Sequence, residues 1–127
     1  MATKKRRPES AHLRVRLRVA TPGGIALGPG RVDLLEQIAE TGSIVEAARH
    51  LEMSYMRAWT LIRDTNAAFR EPLIVAERGG RKGGGAALTE TGRKVLELYR
   101  AMEGDALHAM RSDWSTLRRL LAAPPEP

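Results

Sequence analysis

Cysteine is absent from the sequence, which removes disulfides, thiolate metal sites and a cysteine nucleophile together. Aromatic residues make up only 4% of the chain, so leucine, isoleucine, valine, alanine and methionine must build most of the core. No apolar run approaches the ~18 residues that a membrane helix needs, and no signal-peptide pattern opens the chain. A cytoplasmic protein with no membrane partner is therefore expected. Paired carboxylates and an activated nucleophile are also missing; the acids stand singly on polar helix faces, mostly beside basic neighbours. His12, His50 and His108 fall on different predicted elements, none at a metal-ligand spacing from another. His50 ends a helix, where the dipole favours a cation. Neither an enzyme nor a metal site is expected.

What the chain does have is unevenly placed positive charge. The formal net charge is +6, and residues 1–20 hold seven cations (Lys4, Lys5, Arg6, Arg7, Arg14, Arg16, Arg18) against one acid, Glu9. The remainder balances at 14 of each sign, but from Arg49 to Lys82 seven cations face four acids. Charge concentrated in this way favours a polyanionic partner, nucleic acid above a membrane surface.

The second concentration surrounds the stretch Ser43 to Phe69, which reads as two helices joined by a tight turn. Ser43 caps the first, with Glu46 completing a capping box. Ile44, Ala47, Ala48 and Leu51 fall on one narrow face, where the alanines let a second helix approach closely. Leu51-Glu52-Met53 is the turn and Ser54 the second cap. On the second helix Ala58, Leu61, Ile62, Thr65 and Phe69 form an inward stripe, with Leu61 at its margin. The opposite face carries Met56, Trp59, Thr60 and Arg63, with Tyr55 near the start. A helix anchored on one side and offering aromatic, hydroxyl and guanidinium groups on the other suits a major groove.

Around this unit the chain reads in order as follows. Met1 to Ser10 has no hydrophobic period and is expected to be disordered. His12 to Val19 alternates strictly, with Leu13, Val15, Leu17 and Val19 on one face and His12, Arg14, Arg16 and Arg18 on the other, the pattern of a half-buried strand. The arginines would keep such an edge from pairing promiscuously. Thr21-Pro22-Gly23-Gly24 is a turn. Gly28-Pro29 opens a helix that runs to about Thr41 and buries Val32, Leu34, Leu35, Ile38 and Ala39. Gly42 ends it.

Pro72 forbids further helix; Leu73 to Ala76 is a short strand, and Ala86-Ala87-Leu88 returns beside it. Between them Glu77 to Gly85 forms a basic, glycine-rich hairpin tip, a wing. Arg78, Arg81, Lys82 and Gly83 are its candidate phosphate or minor-groove contacts. The glycines do not make a nucleotide loop. Lys82 is followed by three glycines and a strand rather than by Ser or Thr opening a helix, and no βαβ unit surrounds the segment. Thr89 caps the last helix, in which Val95, Tyr99, Met102, Ala106, Met110, Trp114, Leu117 and Leu121 recur every three or four residues. Such a stripe is long for one small domain, and suits a helix that packs on its own core early and on a second copy later. A helix folded back over its own core is the other reading. Gly104 interrupts the stripe at a cost of about 1 kcal/mol relative to alanine, marking a place for a bend or a break.

With these pieces assembled, the chain resembles the N-terminal DNA-binding domain of ModE-type molybdate-responsive regulators, whose helix-turn-helix is itself similar to that of LysR-type regulators. The matching stretches are GSIVEAARHLEMSYMRAWTLIRDTN and LIVAERGGRKGGGAALTETGRKVLELY. Distinctive are Ser54-Tyr55 followed by Ala58-Trp59 and ending at Asn66, and the glycine run leading into Ala87-Leu88-Thr89 and Gly92. The resemblance implies a winged helix-turn-helix that dimerises through its N-terminal strand region and long last helix. It also implies inverted-repeat operators near molybdate-transport or molybdoenzyme genes. Ser54, Tyr55 and Trp59 match the family's recognition helix, and Arg81 and Lys82 stand within the matching wing. Met56 and Arg57 occupy positions that differ between members, so no operator sequence carries over. Full-size members continue into C-terminal oxyanion-binding domains and this sequence stops before them. No molybdate site of its own is evident, and no cofactor is expected.

The expected fold is mainly α with a small β-wing: a winged helix-turn-helix with an N-terminal strand and a long C-terminal dimerisation helix. A disordered basic arm over 1–11 and a Pro-rich tail over 123–127 flank the domain at 12–122. The expected function is sequence-specific transcriptional regulation as a homodimer on double-stranded DNA. Recognition-helix contacts are Ser54, Tyr55, Met56, Arg57, Trp59, Thr60 and Arg63. Dimer contacts are Leu17, Val95, Tyr99, Met102, Met110, Trp114 and Leu117. Two other classes stay open: an interaction module that heterodimerises with a full-length regulator, and a small molybdate-binding protein holding the oxyanion between subunits at the basic strand.

Overall fold

The computed structural model describes residues 10–77 and 85–123. Most of the arm expected over 1–11, most of the tail over 123–127, and the wing residues Arg78, Arg81, Lys82 and Gly83 lie outside the described residues. The element order is β1 (Val19–Thr21), β2 (Gly24–Leu27), α1 (Pro29–Thr41), α2 (Ile44–His50), α3 (Tyr55–Ala67), β3 (Ile74–Glu77), β4 (Gly85–Leu88) and α4 (Glu90–Arg118). Among the described residues no helix is long and apolar enough to cross a membrane.

Local signals set the helix boundaries where the sequence places them. Pro29 starts α1, and Gly42, in the left-handed region at φ 65°, returns its N–H to the Ile38 carbonyl to end it. Ser43 and Ser54 cap α2 and α3 by accepting from the Glu46 and Arg57 amides at 3.1 and 3.0 Å. Glu52, in the turn between α2 and α3, adopts φ 55° without being glycine, a conformation worth roughly 1–2 kcal/mol of strain. Ala47, Ala48 and Ala58 are fully buried where α2 and α3 cross. Side chains reaching only as far as Cβ let the two helices meet closely there. The core is completed by Leu34, Leu35 and Ile38 of α1, Ile44, Ile62, Leu73, Ile74 and Leu88.

Four expectations change. The N-terminal strand is shorter and later than the alternation predicts: pairing begins only at Val19, against Leu27, and Val19 is exposed. The reason is its partner, because β2 ends where Gly28 caps α1 and Pro29 enters it. Residues 12–18 have no strand opposite them among the described residues, although Leu13, Val15 and Leu17 still turn partly inward and His12, Arg14, Arg16 and Arg18 outward. Ala39 is exposed rather than buried. Phe69 lies beyond the end of α3, yet still packs partly against the core. Gly104 does not break α4, which continues as one helix of 29 residues, about 44 Å at 1.5 Å per residue.

Two long-range ties set the frame for the wing and α4. Asn66, in the last turn of α3, accepts from the Leu73 and Ile74 amides at 2.8 and 3.1 Å and donates to the Ile74 carbonyl at 2.9 Å. It therefore fastens the end of α3 to the start of β3. Asn66→Ala is expected to lower stability by about 2–3 kcal/mol, three hydrogen bonds at roughly 1 kcal/mol each, read as a fall in the urea midpoint. An unchanged midpoint would mean that the 68–73 segment holds itself. At the base of the wing, β3 and β4 pair antiparallel from Ile74↔Leu88 to Glu77↔Gly85. The Ala86 amide donates to the Gly42 carbonyl at 3.1 Å, which seats the hairpin on the α1–α2 junction.

Candidate nucleic-acid interface

The buried residues of α3 are Ala58, Ile62 and Thr65, and the helical repeat turns Met56, Thr60 and Arg63 to the opposite side. Met56 is 71% exposed, and the Arg63 side chain is 74% exposed. Tyr55 and Trp59 flank them as an edge-to-face pair with ring centroids 6.3 Å apart. Ser54 and Arg57 are exposed at the start of the helix, and Thr60 is half-buried. All seven residues predicted for the recognition helix thus lie on one open surface or its rim. Ser54 has the additional task of capping, and the Thr60 hydroxyl donates to the Met56 carbonyl at 3.0 Å.

Arg63 stands 3.6 Å from Asp64, both largely in solvent. Exposed pairs of this kind contribute little, so the guanidinium can leave Asp64 for a base or phosphate at small cost. Of the predicted wing set nothing further follows, because Arg78, Arg81, Lys82 and Gly83 are outside the described residues. What is visible is the wing's base, held beside α2 by an isolated bridge between Ser43 and Gly85.

The predicted dimer residues divide into two groups. Tyr99 is not a surface residue: it is 2% exposed, and its hydroxyl donates to the Leu17 carbonyl at 2.7 Å. Burial raises its pKa, with the nearby Glu103 carboxylate adding to the effect. Its ring fills the space between α4 and the N-terminal segment, so it serves the protomer's own core. Leu17 and Val95 are half-buried at the edge of that core. Met102, Met110 and Leu117 are exposed, and Trp114 is half-covered on the part of α4 that runs past the core. Beyond Tyr99 most of α4 is exposed and none of it joins the core among the described residues, which speaks against the reading of a helix folded back over its own core.

Sequence reasoning missed a residue that ties α4 to α1. Arg100 donates to Glu36 at 2.8 Å and Glu103 at 2.9 Å, and reaches Asp33 at 3.4 Å, joining α4 to α1. Burial of the guanidinium works against its charge, but hydrogen bonds to Glu103 and Glu36 and their negative charge hold it above the ordinary arginine range. A second arginine, Arg31, donates to the Ile25 and Ala26 carbonyls at 2.5 and 3.1 Å, pinning the N-terminal hairpin to α1. Glu103 is a local partner three residues on in α4, but the ties of Arg100 to Glu36 and Asp33 and of Arg31 to the Ile25 and Ala26 carbonyls join different elements and carry no local signal.

Comparison with known proteins places this geometry in context. Residues 30–93 match the bacterial regulatory helix-turn-helix proteins of the lysR family. The chain is 44% identical over 88 residues to the molybdenum transport protein ModE of Azotobacter vinelandii, covering 69% of this chain and 33% of that one. It is 39% identical over 89 residues to the molybdenum-pterin-binding protein MopB of Rhodobacter capsulatus, covering 70% and 33%. With the dual regulator ModE of Escherichia coli K12 it shares 39% identity over 71 residues, 56% of this chain and 27% of that one. The chain therefore spans about a third of the length of these curated relatives. Among solved structures, the CbnR DNA-binding domain in complex with DNA superposes with a TM-score of 0.54 at 22% identity, over 70% of this chain and 97% of that one. At that identity the likeness is one of fold.

Proposed function

Since the chain belongs to the lysR family of bacterial regulatory helix-turn-helix proteins, we propose that it is a homodimeric transcriptional regulator that reads an inverted-repeat operator with α3. The observation that carries this reading is the outward face of α3: Met56 and Arg63 are exposed and Thr60 half-buried on the side opposite the buried Ala58, Ile62 and Thr65. Each protomer presents one such helix to the major groove, and its wing reaches backbone or minor groove. The exposed apolar stripe of α4 supplies the contact between copies. Half-sites then lie one helical turn apart, ~34–36 Å, or a multiple of it. The regulated genes concern molybdate uptake or molybdoenzymes, a reading supported by the names of the relatives from Azotobacter vinelandii and Rhodobacter capsulatus. The protein works in the cytoplasm, binds no cofactor of its own and is not an enzyme.

The test is selection of duplexes from random-sequence DNA by the purified chain, followed by affinity measurements on the selected and scrambled sequences. Arg63→Ala is expected to weaken binding to the selected duplex by about 1–3 kcal/mol while changing the scrambled one little. An equal loss on both assigns Arg63 to phosphate. Failure to enrich any sequence sinks the regulator reading itself.

A further inference from the structure

The centre of the exposed α3 face is unusual for a surface built to read hydrogen-bonding base edges. Met56 stands there 71% open, and it has no donor and only a weak sulfur acceptor. One turn on, Thr60 has already committed its hydroxyl proton to the Met56 carbonyl at 3.0 Å. What Thr60 keeps for a ligand is its γ-methyl and an acceptor lone pair. The Tyr55–Trp59 pair walls one side of this patch, and Arg63 stands beside it, one further turn along the helix from Thr60. In the major groove only one base carries an apolar group at its edge, thymine with its C5-methyl.

We propose that Met56 and the Thr60 γ-methyl recognise thymine in each half-site through its C5-methyl group, with Arg63 supplying the charged contact beside them. The inference rests on the reading that α3 enters the major groove. An exposed thioether gains nothing from water, and its unbranched chain adapts to a methyl group without a fixed angle. A hydroxyl that donates to its own helix does not compete for O4 or N7. The alternative occupant of an open apolar patch, a second protein, is disfavoured by the exposed Arg57 and Arg63 on the same short helix.

Uracil tests this directly, because it retains every hydrogen-bonding edge of thymine and lacks only the methyl. Each thymine of the best selected duplex is replaced in turn by uracil, and affinities are measured for the wild-type chain, Met56→Ala and Thr60→Ser. Met56→Ala raises helix propensity at an exposed site, and Thr60→Ser keeps the hydroxyl while deleting only the methyl. For the wild type, uracil is expected to weaken binding about fourfold at one or two positions per half-site, the factor for burying one methyl group. At those positions the thymine preference is expected to vanish in one variant or the other. Sequence-specific binding that ignores uracil everywhere overturns methyl reading and leaves the regulator standing. A uracil effect that persists unchanged in both variants overturns the assignment to Met56 and Thr60. If no sequence is enriched at all, both readings fall together.

Discussion

Gly92→Ala is expected to destabilise the protein by about 3 kcal/mol or more, a large part of the ~5–15 kcal/mol typical of a domain this size. Gly92 lies in the first turn of α4, where a Cβ would come within 2.1 Å of the Leu73 carbonyl oxygen and 3.0 Å of its carbon. Both are backbone atoms, so no rotamer change relieves the clash. The same corner holds the Thr89 amide on the Leu73 carbonyl at 2.9 Å and the Thr89 hydroxyl on the Pro72 carbonyl at 2.8 Å. Moving α4 to make room breaks these bonds and strains the Asn66 clamp on the same strand. The helix-propensity gain of about 1 kcal/mol from removing a glycine is too small to compensate. Gly104, with nothing within 4 Å of its Cβ, provides the contrast: Gly104→Ala is expected to stabilise by up to about 1 kcal/mol. Urea midpoints of the two variants should move in opposite directions. A Gly92→Ala protein as stable as the parent would mean that the first turn of α4 does not sit against the Leu73 backbone as described.

The second large effect is expected in DNA binding. Introducing carboxylates on the outer half of α4, as Met110→Glu with Leu117→Glu, should leave the protomer folded, because Leu117 is 52% exposed and neither residue belongs to the core. The stripe they interrupt, through Ala106, Met110, Trp114, Leu117 and Leu121, continues the face that buries Tyr99, but beyond the platform it joins no core among the described residues. If a second copy covers it, the double variant sediments as a single chain. Its affinity for a two-half-site duplex then falls by about 10²–10⁴-fold, the advantage that linked binding confers. Its affinity for an isolated half-site stays near that of the parent. A wild-type chain that is itself monomeric at the concentrations where it binds its operator would remove the dimer from the reading.

Both expectations depend on features that differ in how visible they are in the sequence. The caps at Ser43, Ser54 and Thr89 and the stop at Gly42 are legible because a cap involves groups no more than four residues apart. The open face of α3 is legible for the same reason, as the helical repeat assigns each side chain to a side once the inward stripe of Ala58, Ile62 and Thr65 is recognised. Alternation in 12–19 correctly orients Arg14, Arg16 and Arg18 outward, yet it could not say which residues find a strand partner, because that depends on where β2 must stop. Tyr99 has the spacing of an interface residue and the role of a core residue. Periodicity gives the side of a helix, and only packing says what lies against it.

By itself, then, the amino-acid order determined the succession of helices, their caps and the chemistry of the outward face of α3. The tertiary structure alone decided how these parts are held. Tyr99 meets a carbonyl 82 residues away, Arg100 a carboxylate 64 residues away, and Gly92 the Leu73 backbone, whose approach no neighbouring residue announces. Local signals arise from bonds that close within a turn, whereas these contacts exist only after the chain has folded back on itself and one element has excluded water from another.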